Sequence, residues 1–223
     1  CMKKVYCMVG FFLLVSCSYS NQKQLEQYAK AYDSYIHGNL ADPVLESYIH
    51  DPGDFVPGLI LKGKVYFIKG DFSSAEKAFE RALALRPSSI EGKIWYARTL
   101  YYKSFTYNEK NLEKVISKIH SILVDVLSDN PDSINAHALL AMIAKDKKEY
   151  DLQIEHLTRI IQYSDELAYA LLERARAFWI QNKIESAQKD LTLALALSQN
   201  NAGIQSAIRE ILSRIEKQGE KNE

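Results

Sequence analysis

Histidine, cysteine and acidic residues are the side chains of this chain that could do chemistry, as metal ligands, nucleophiles or proton-transfer groups. The five histidines are His37, His50, His120, His137 and His156. No His-x-x-x-His or Glu-x-x-His sequence places two of them at metal-ligand spacing on one helix. Neither a G-x-S-x-G motif nor a Gly-rich phosphate loop is present. The sequence therefore predicts no catalytic residue, no metal site and no cofactor, and we expect a chain that is not an enzyme.

One cysteine lies in a context that predicts covalent modification. Met2-Lys3-Lys4 is a positively charged start, and Val5 to Val15 is an apolar run that is too short for a stable membrane-spanning helix but typical of a secretion signal. Leu14-Val15-Ser16-Cys17 resembles the lipobox of bacterial lipoproteins, whose cysteine is acylated. The resemblance implies a signal peptide over 1–16 and a lipidated tether over 17–21. An ordinary cleaved signal and an uncleaved anchor are the alternatives.

The lipobox resemblance also implies a location in a bacterial cell envelope. Two or more acyl chains hold a protein firmly on a membrane, whereas one chain binds marginally. Ser18 follows the cysteine, where Asp retains enteric lipoproteins in the inner membrane, so we expect an outer-membrane, periplasm-facing protein. The cysteines Cys1, Cys7 and Cys17 all lie at this end, and no disulfide or thiolate metal site is predicted beyond it.

Five small residues reveal a repeat that organises the rest of the chain. They are Ala29, Gly63, Ala97, Ala141 and Ala175, at spacings of 34, 34, 44 and 34 residues. A period near 34 residues is typical of helix–turn–helix solenoids. Each such repeat buries its apolar face by stacking on its neighbours, and the stack presents an extended binding surface. The period therefore predicts an all-helical binding protein.

The best copy of the repeat runs from Val56 to Ser89. At the characteristic offsets it carries a large apolar residue, a small residue, two aromatics, two further alanines and a proline: Leu59, Gly63, Tyr66, Ala75, Phe79, Ala82 and Pro87. This pattern closely resembles the tetratricopeptide repeat. Gly63 and Ala75 would let two antiparallel helices approach closely, and Phe79 would fill the space between them. Gly70-Asp71 separates the helices, and Pro87 ends the second one.

The same offsets predict the other repeats. They lie at 22–55, 56–89, 90–133, 134–167 and 168–201, and the third holds about ten extra residues. The resemblance implies an all-α, right-handed superhelical solenoid of antiparallel helix pairs over 22–217, with a capping helix at 202–217 and a flexible tail at 218–223. The isoleucine stripe of the last helix, Ile204, Ile208, Ile211 and Ile215, could cover the last repeat or form a dimer contact.

Local signals mark three helix ends. In the degenerate first copy, Asp42-Pro43 predicts the start of a short second helix, and Asp51-Pro52 predicts its end. Ser88-Ser89-Ile90-Glu91 is a capping-box pattern, which predicts that a helix opens there.

The resemblance also implies which side chains face the concave groove. Position 9 of the repeats is basic in four of five copies: Lys30, Lys64, Arg98 and Arg176. Aromatic residues at nearby positions include Trp95, Tyr101 and Trp179. Such a groove suits an acidic peptide or an amphipathic helix with an acidic edge, because aromatics and arginine dominate binding hot spots. The alternative is a solvated stripe that nearby glutamates such as Glu91 and Glu173 neutralise, with the aromatics in the core.

The extra residues of the third copy form a second candidate site. Tyr101 to Asn111 contains four aromatics in eleven residues, and we predict that Tyr102, Phe105 and Tyr107 contact a partner or ligand. The alternative is that the two helices are simply longer and the rings pack against one another.

Charge and motifs together define the expected function. The chain has 28 basic and 28 acidic residues, so no bulk positive charge attracts nucleic acid. We expect a membrane-anchored scaffold that binds a protein or peptide partner, with envelope protein assembly as one setting for it. The alternative is an oligomeric periplasmic ligand-binding partner of a solute-import system, which would need a continuous aromatic cavity; a homo-oligomer is compatible with either.

Overall fold

The computed structural model describes residues 22–108, 111–163, 167–198 and 201–219, which form α-helices joined by short turns, with no strand among them. The expected signal peptide (1–16), the tether with Cys17 (17–21) and residues 220–223 of the expected tail lie outside the described residues. Within those ranges no helix combines the length and the apolar character needed to cross a bilayer. The chain divides into two compact units, Cys1–Val115 and Ile116–Glu223, which we describe separately.

The first unit contains five helices within its described residues. They are α1 (22–36), α2 (Pro43–His50), α3 (Val56–Ile68), α4 (Phe72–Leu85) and α5 (Ile90–Thr106). α2 packs on α3, α3 packs on α4, and α5 packs on both α3 and α4. The division between the units falls within the next helix, α6 (Leu112–Asp129).

Side-chain caps explain where these helices begin. The Asp42 carboxylate accepts a hydrogen bond of 2.7 Å from the Val44 amide, and Pro43 occupies the first turn, which confirms the predicted start of α2. The Asp71 carboxylate accepts from the Ser74 amide at 3.0 Å and opens α4.

The predicted capping box is displaced by one residue. Ser89, not Ser88, precedes α5, and its hydroxyl accepts from the Gly92 amide at 3.2 Å. Glu91 consequently falls in the first turn, and its carboxylate forms an ion pair with Lys64 instead of returning to the helix start.

The core between α3 and α4 depends on one close approach. Ala75 and Phe79 are fully buried on α4. A Cβ atom placed on Gly63 of α3 would lie 2.5 Å from Cζ of the Phe79 ring, closer than real Cβ contacts allow. Glycine is therefore required at position 63 for the Phe79 ring to fill the space between the helices.

The second unit begins within α6 and contains five further helices in its described residues. They are α7 (Ile134–Asp146), α8 (Tyr150–Tyr163), α9 (Leu167–Ile180), α10 (Ile184–Leu197) and α11 (Ala202–Gly219). α7 packs on α8, α8 on α9, and α9 on α10. These contacts form the antiparallel pairs that the repeat predicts.

The last helix closes the second unit. α11 packs on both α9 and α10. Ile208, Ile211 and Ile215 are buried in one cluster with Leu171 and Leu191. The isoleucine stripe is thus covered by the helices of the preceding pair, and this packing accounts for the stripe without a second copy of the chain.

Candidate functional site

Four side chains of the first unit form a contiguous cation–aromatic cluster, made of Tyr35, Lys64, Trp95 and Arg98. The Lys64 Nζ atom lies 5.9 Å from the centroid of the Tyr35 ring and 5.3 Å from that of Trp95. The guanidinium carbon of Arg98 lies 4.8 Å from the same Trp95 centroid. These distances are within the range of about 6 Å over which an aromatic face attracts a cation. The Trp95 indole therefore contacts two cations.

Repeat geometry explains how the cluster assembles. Lys64 and Arg98 occupy the same position in consecutive repeats, on α3 and α5, and these helices pack against each other. Trp95 precedes Arg98 by three residues, close to one helical turn, so both lie on one face of α5. The structure thus brings three predicted groove residues together. Tyr35 was missed, because the register predicted for the degenerate first copy is wrong: Ala29, the predicted packing residue, is exposed, and Ala31 is fully buried instead.

The charges of the cluster are partly balanced within the chain. Lys64 Nζ forms an ion pair with the Glu91 carboxylate, in which the lysine side chain is 12% exposed and the glutamate 57%. Burial lowers the pKa of the Arg98 guanidinium, and Tyr102 opposes that shift. Arg98 remains a cation at neutral pH, because arginine pKa values lie far above 7. The Lys64 ammonium therefore already holds the Glu91 carboxylate, which is exposed.

Further rings extend the cluster along the same unit. Phe67 meets Trp95 edge to face at 5.4 Å between centroids, and meets Tyr102 in the same way at 5.4 Å. Tyr102 in turn stacks on Phe72 at 6.2 Å. Edge-to-face and offset pairs at these separations are the favoured arrangements of aromatic rings. The cations are thus set beside a continuous aromatic surface.

The extra residues of the third repeat mainly lengthen its helices. α5 has 17 residues and α6 has 18, against 13 in α3 and 14 in α4. Tyr101 is 6% exposed and contacts the rings of Tyr102 and Phe105, so little of its surface remains for a partner. Tyr102, Phe105 and Tyr107 are 39%, 49% and 51% exposed. The helices are longer, as the alternative predicted, yet three rings stay accessible, and their contact with a partner stays a prediction.

The remaining predicted groove residues lie outside the cluster. Lys30 is exposed on α1 of the first unit. In the second unit, Arg176 forms an ion pair with Glu173, whose buried carboxylate also accepts from Lys145 at 2.6 Å. Trp179 packs against the core of α9, α10 and α11. Glu91 and Glu173 thus neutralise part of the predicted basic stripe, and the binding role of Arg176 stays a prediction.

The described residues also include a cavity in the first unit. A cavity of about 280 Å³ between α3 and α4 is lined by Leu59, Lys62, Tyr66, Ser74, Lys77, Ala78 and Arg81. Its lining contains one aromatic ring and three cationic side chains. Within the described ranges, no group of three or more His, Cys, Asp or Glu side chains is placed to hold a metal ion.

Comparisons with known proteins agree with the helix-pair arrangement. Residues 56–89 match the tetratricopeptide repeat family. Among curated proteins, none matches the sequence. Among solved structures, TTC0263, a thermophilic TPR protein of Thermus thermophilus, is similar with a TM-score of 0.69 and 12% identity over 85% of this chain and 98% of that one.

Two further structures show the same fold. MamA from Desulfovibrio magneticus RS-1 matches with a TM-score of 0.62 and 15% identity over 81% of this chain and 98% of that one. YrrB, described as a TPR protein with an unusual peptide-binding site, matches with a TM-score of 0.58 and 13% identity over 82% and 90%. Residues 56–89 are thus a tetratricopeptide repeat, and the chain has the all-helical fold of tetratricopeptide-repeat proteins.

Proposed function

We propose that this chain is a scaffold that binds an acidic segment of a protein partner at the cation–aromatic cluster of its first unit. The observation that carries the proposal is that Lys64 and Arg98 both lie over the Trp95 indole, while the exposed Glu91 carboxylate occupies Lys64. Glu91 forms the ion pair with Lys64 that a carboxylate of an acidic ligand would form. A partner carboxylate would compete with it for the Lys64 ammonium.

The cluster has the composition of a binding hot spot. Tryptophan, tyrosine and arginine carry most of the binding energy at protein interfaces. Phe67 and Tyr102 would supply apolar contact beside the charges, and Tyr102 is 39% exposed. Because lysine and arginine attract acidic groups through a screened field, binding should weaken as the salt concentration rises. YrrB, which has the same fold, is described as having a peptide-binding site, and this likeness supports a peptide ligand here.

Removing the two cations of the cluster should weaken capture of the partner. We expect a photocrosslinking amino acid at position 102 to capture a protein in cells, and Lys64→Gln combined with Arg98→Gln to reduce that capture about 10-fold or more. Loss of a charge-assisted hydrogen bond costs roughly 1.5–3 kcal/mol, and each 1.4 kcal/mol is tenfold in affinity. The charges are removed and not reversed, because a new carboxylate would repel Glu91.

Two controls separate this site from general charge effects. Lys77→Gln combined with Arg86→Gln removes two exposed cations outside the cluster and should leave capture unchanged. Glu91→Gln removes the internal competitor and should strengthen capture. Equal capture by the Lys64/Arg98 variant, or weaker capture by Glu91→Gln, would refute the proposed site.

We further propose that acylation of Cys17 holds the scaffold on a bacterial envelope membrane, facing the periplasm. The support is the Leu14-Val15-Ser16-Cys17 sequence behind its positive start and apolar run. Cys17→Ser should move the protein from the membrane fraction to the soluble fraction, and Cys7→Ser, the matched control, should not. Metabolic labelling with an alkyne fatty acid should mark only the chains that keep Cys17. A Cys17→Ser protein that stays in the membrane fraction and still takes up the label would overturn this part of the proposal.

A further inference from the structure

Two histidines of the second unit face each other across a helix pair. His137 lies on α7 and His156 on α8. Their Nδ1 atoms are 3.1 Å apart, and the His137 side chain is buried, with the residue 7% exposed. The residues are 19 positions apart in sequence, so their meeting is a product of the α7–α8 packing.

A backbone contact determines which nitrogen of His137 carries its proton. His137 Nε2 lies 2.9 Å from the carbonyl oxygen of Pro131. A carbonyl can only accept, so Nε2 of His137 must donate, and in the neutral ring Nδ1 then carries the lone pair. Metal-ligating histidines are oriented in this way, with the second ring nitrogen donating to a backbone carbonyl.

The distance between the two facing nitrogens suits a shared metal ion. Zinc–nitrogen bonds are about 2.0–2.1 Å, so two nitrogens on one ion lie about 2.9 Å apart at a right angle and about 3.3 Å apart in a tetrahedron. The observed 3.1 Å falls between these values. In the metal-free state the same distance allows His156 Nδ1–H to donate a hydrogen bond to His137 Nδ1.

The environment of the His156 ring acts on its charged form. Burial lowers the pKa of His156, and the nearby His137 and His120 lower it further, whereas Glu155 acts in the opposite direction. Burial thus favours the uncharged form of His156, which is the form that binds a metal.

We propose that His137 and His156 form a two-histidine site for a divalent transition-metal ion of the Zn²⁺ or Cu²⁺ type, with water completing the coordination. On binding, the proton of His156 Nδ1 moves through solvent to its Nε2, both rings stay neutral, and no net proton is released. The metal would then link α7 to α8. The site is independent of the partner-binding cluster, and the sequence had predicted no metal site because it offers no ligand pair on a single helix.

The test uses the full-length chain with Zn²⁺ as the probe. We expect one bound Zn²⁺ per chain and a higher Tm, since a ligand that binds only the folded state stabilises it. Cu²⁺ should bind more tightly than Zn²⁺, and Mg²⁺ should have no effect, because imidazole suits the later transition metals. Affinity should fall as the pH is lowered, because protons compete with the metal for the imidazole nitrogens.

Matched variants assign the effect to this pair. His137→Gln and His156→Gln should each weaken Zn²⁺ binding by more than the roughly 10–100-fold that loss of a supporting contact costs. His50→Gln, an exposed histidine of the first unit, should bind as the parent does. The three variants do not differ in cysteine content, so differences among them report the histidines.

A measurement on the unmutated chain guards against misfolded variants. In ¹⁵N spectra of the imidazoles, Zn²⁺ should shift Nδ1 of both His137 and His156. Unshifted Nδ1 signals at saturating Zn²⁺, or a Tm increase that persists in both pair variants, would overturn the proposal.

Discussion

Replacing Phe79 by alanine is expected to destabilise the first unit by about 3–5 kcal/mol, the usual cost of removing a fully buried phenylalanine. The ring is fully buried and stacks at 6.4 Å on the Trp95 indole of α5. It also fills the space that Gly63 leaves open on α3. The variant should therefore leave a cavity that joins three helices. Urea unfolding, followed by Trp95 fluorescence in a Trp179→Phe background, measures the loss of stability in this unit.

A double-mutant cycle tests the close approach itself. Gly63→Ala alone should cost about 1–3 kcal/mol by overpacking, offset in part by about 1 kcal/mol of helix propensity. In the Phe79→Ala background the same change should be neutral or stabilising, because the ring that it would meet is gone. Additive effects in the two backgrounds would show that Gly63 and Phe79 do not meet as described, since contacting residues couple by about 0.5–3 kcal/mol.

Replacing Arg174 by methionine is expected to destabilise the second unit by about 3–5 kcal/mol, the usual cost of breaking a buried ion pair from one side. Arg174 joins α9 to α10 through two parallel hydrogen bonds to Asp190, of 2.7 and 2.8 Å, and donates to the Thr158 hydroxyl at 3.0 Å. The Asp190 side chain is only 6% exposed. Removing the arginine leaves this buried carboxylate without its cationic partner, and an uncompensated buried charge is strongly destabilising. Denaturant unfolding of the full chain, followed by Trp179 fluorescence in a Trp95→Phe background, gives the change.

Two further variants separate the buried pair from ordinary surface charge. Arg174→Met with Asp190→Leu removes both charges and should recover most of the lost stability. Arg214→Met breaks the exposed Arg214–Glu210 pair of α11, whose side chains are 60% and 62% exposed, and should cost less than about 1 kcal/mol. Equal costs for Arg174→Met and Arg214→Met would contradict the structural role assigned to Asp190.

Helix boundaries show how far local signals reach. Asp42-Pro43 predicted the start of α2 correctly, because a cap and a first-turn proline act within a few residues of themselves. At α5 the capping-box pattern predicted the opening of the helix one residue too early, because Ser89 is the cap and Glu91 pairs with Lys64 instead of returning to the helix start.

The turns between paired helices, by contrast, are not all predictable from local sequence signals. Gly70, Lys148 and Asn182 occupy the same position in three repeats, and all three have positive φ, of 78°, 62° and 58°. Glycine adopts this region without strain and asparagine more readily than other residues, so the lysine would not have been predicted there. The packing of each helix pair imposes the turn on whichever residue stands at that position.

The sequence by itself determined the repeat period, the all-helical fold and, in the repeats after the first, the buried small residues Gly63, Ala97, Ala141 and Ala175. These properties follow from a spacing of 34 residues and from helical periodicity, which are local and repeated along the chain. In the first copy the predicted register was wrong, because Ala29 is exposed and Ala31 is the buried alanine. The sequence also predicted that Lys64, Trp95 and Arg98 lie close together, because equivalent positions of stacked repeats become neighbours, and their distances confirm this.

Only the tertiary structure decided which side chains meet across helices. In the structure the Lys64 ammonium contacts the Tyr35 ring and forms an ion pair with Glu91. Nδ1 of His137 lies 3.1 Å from Nδ1 of His156. Such contacts require two helices to be set to within about an ångström, and side-chain rotamers to be selected by packing. Periodicity specifies which face of a helix is buried. It does not specify the relative position of two packed helices, because that position depends on how the cores of neighbouring repeats fit together.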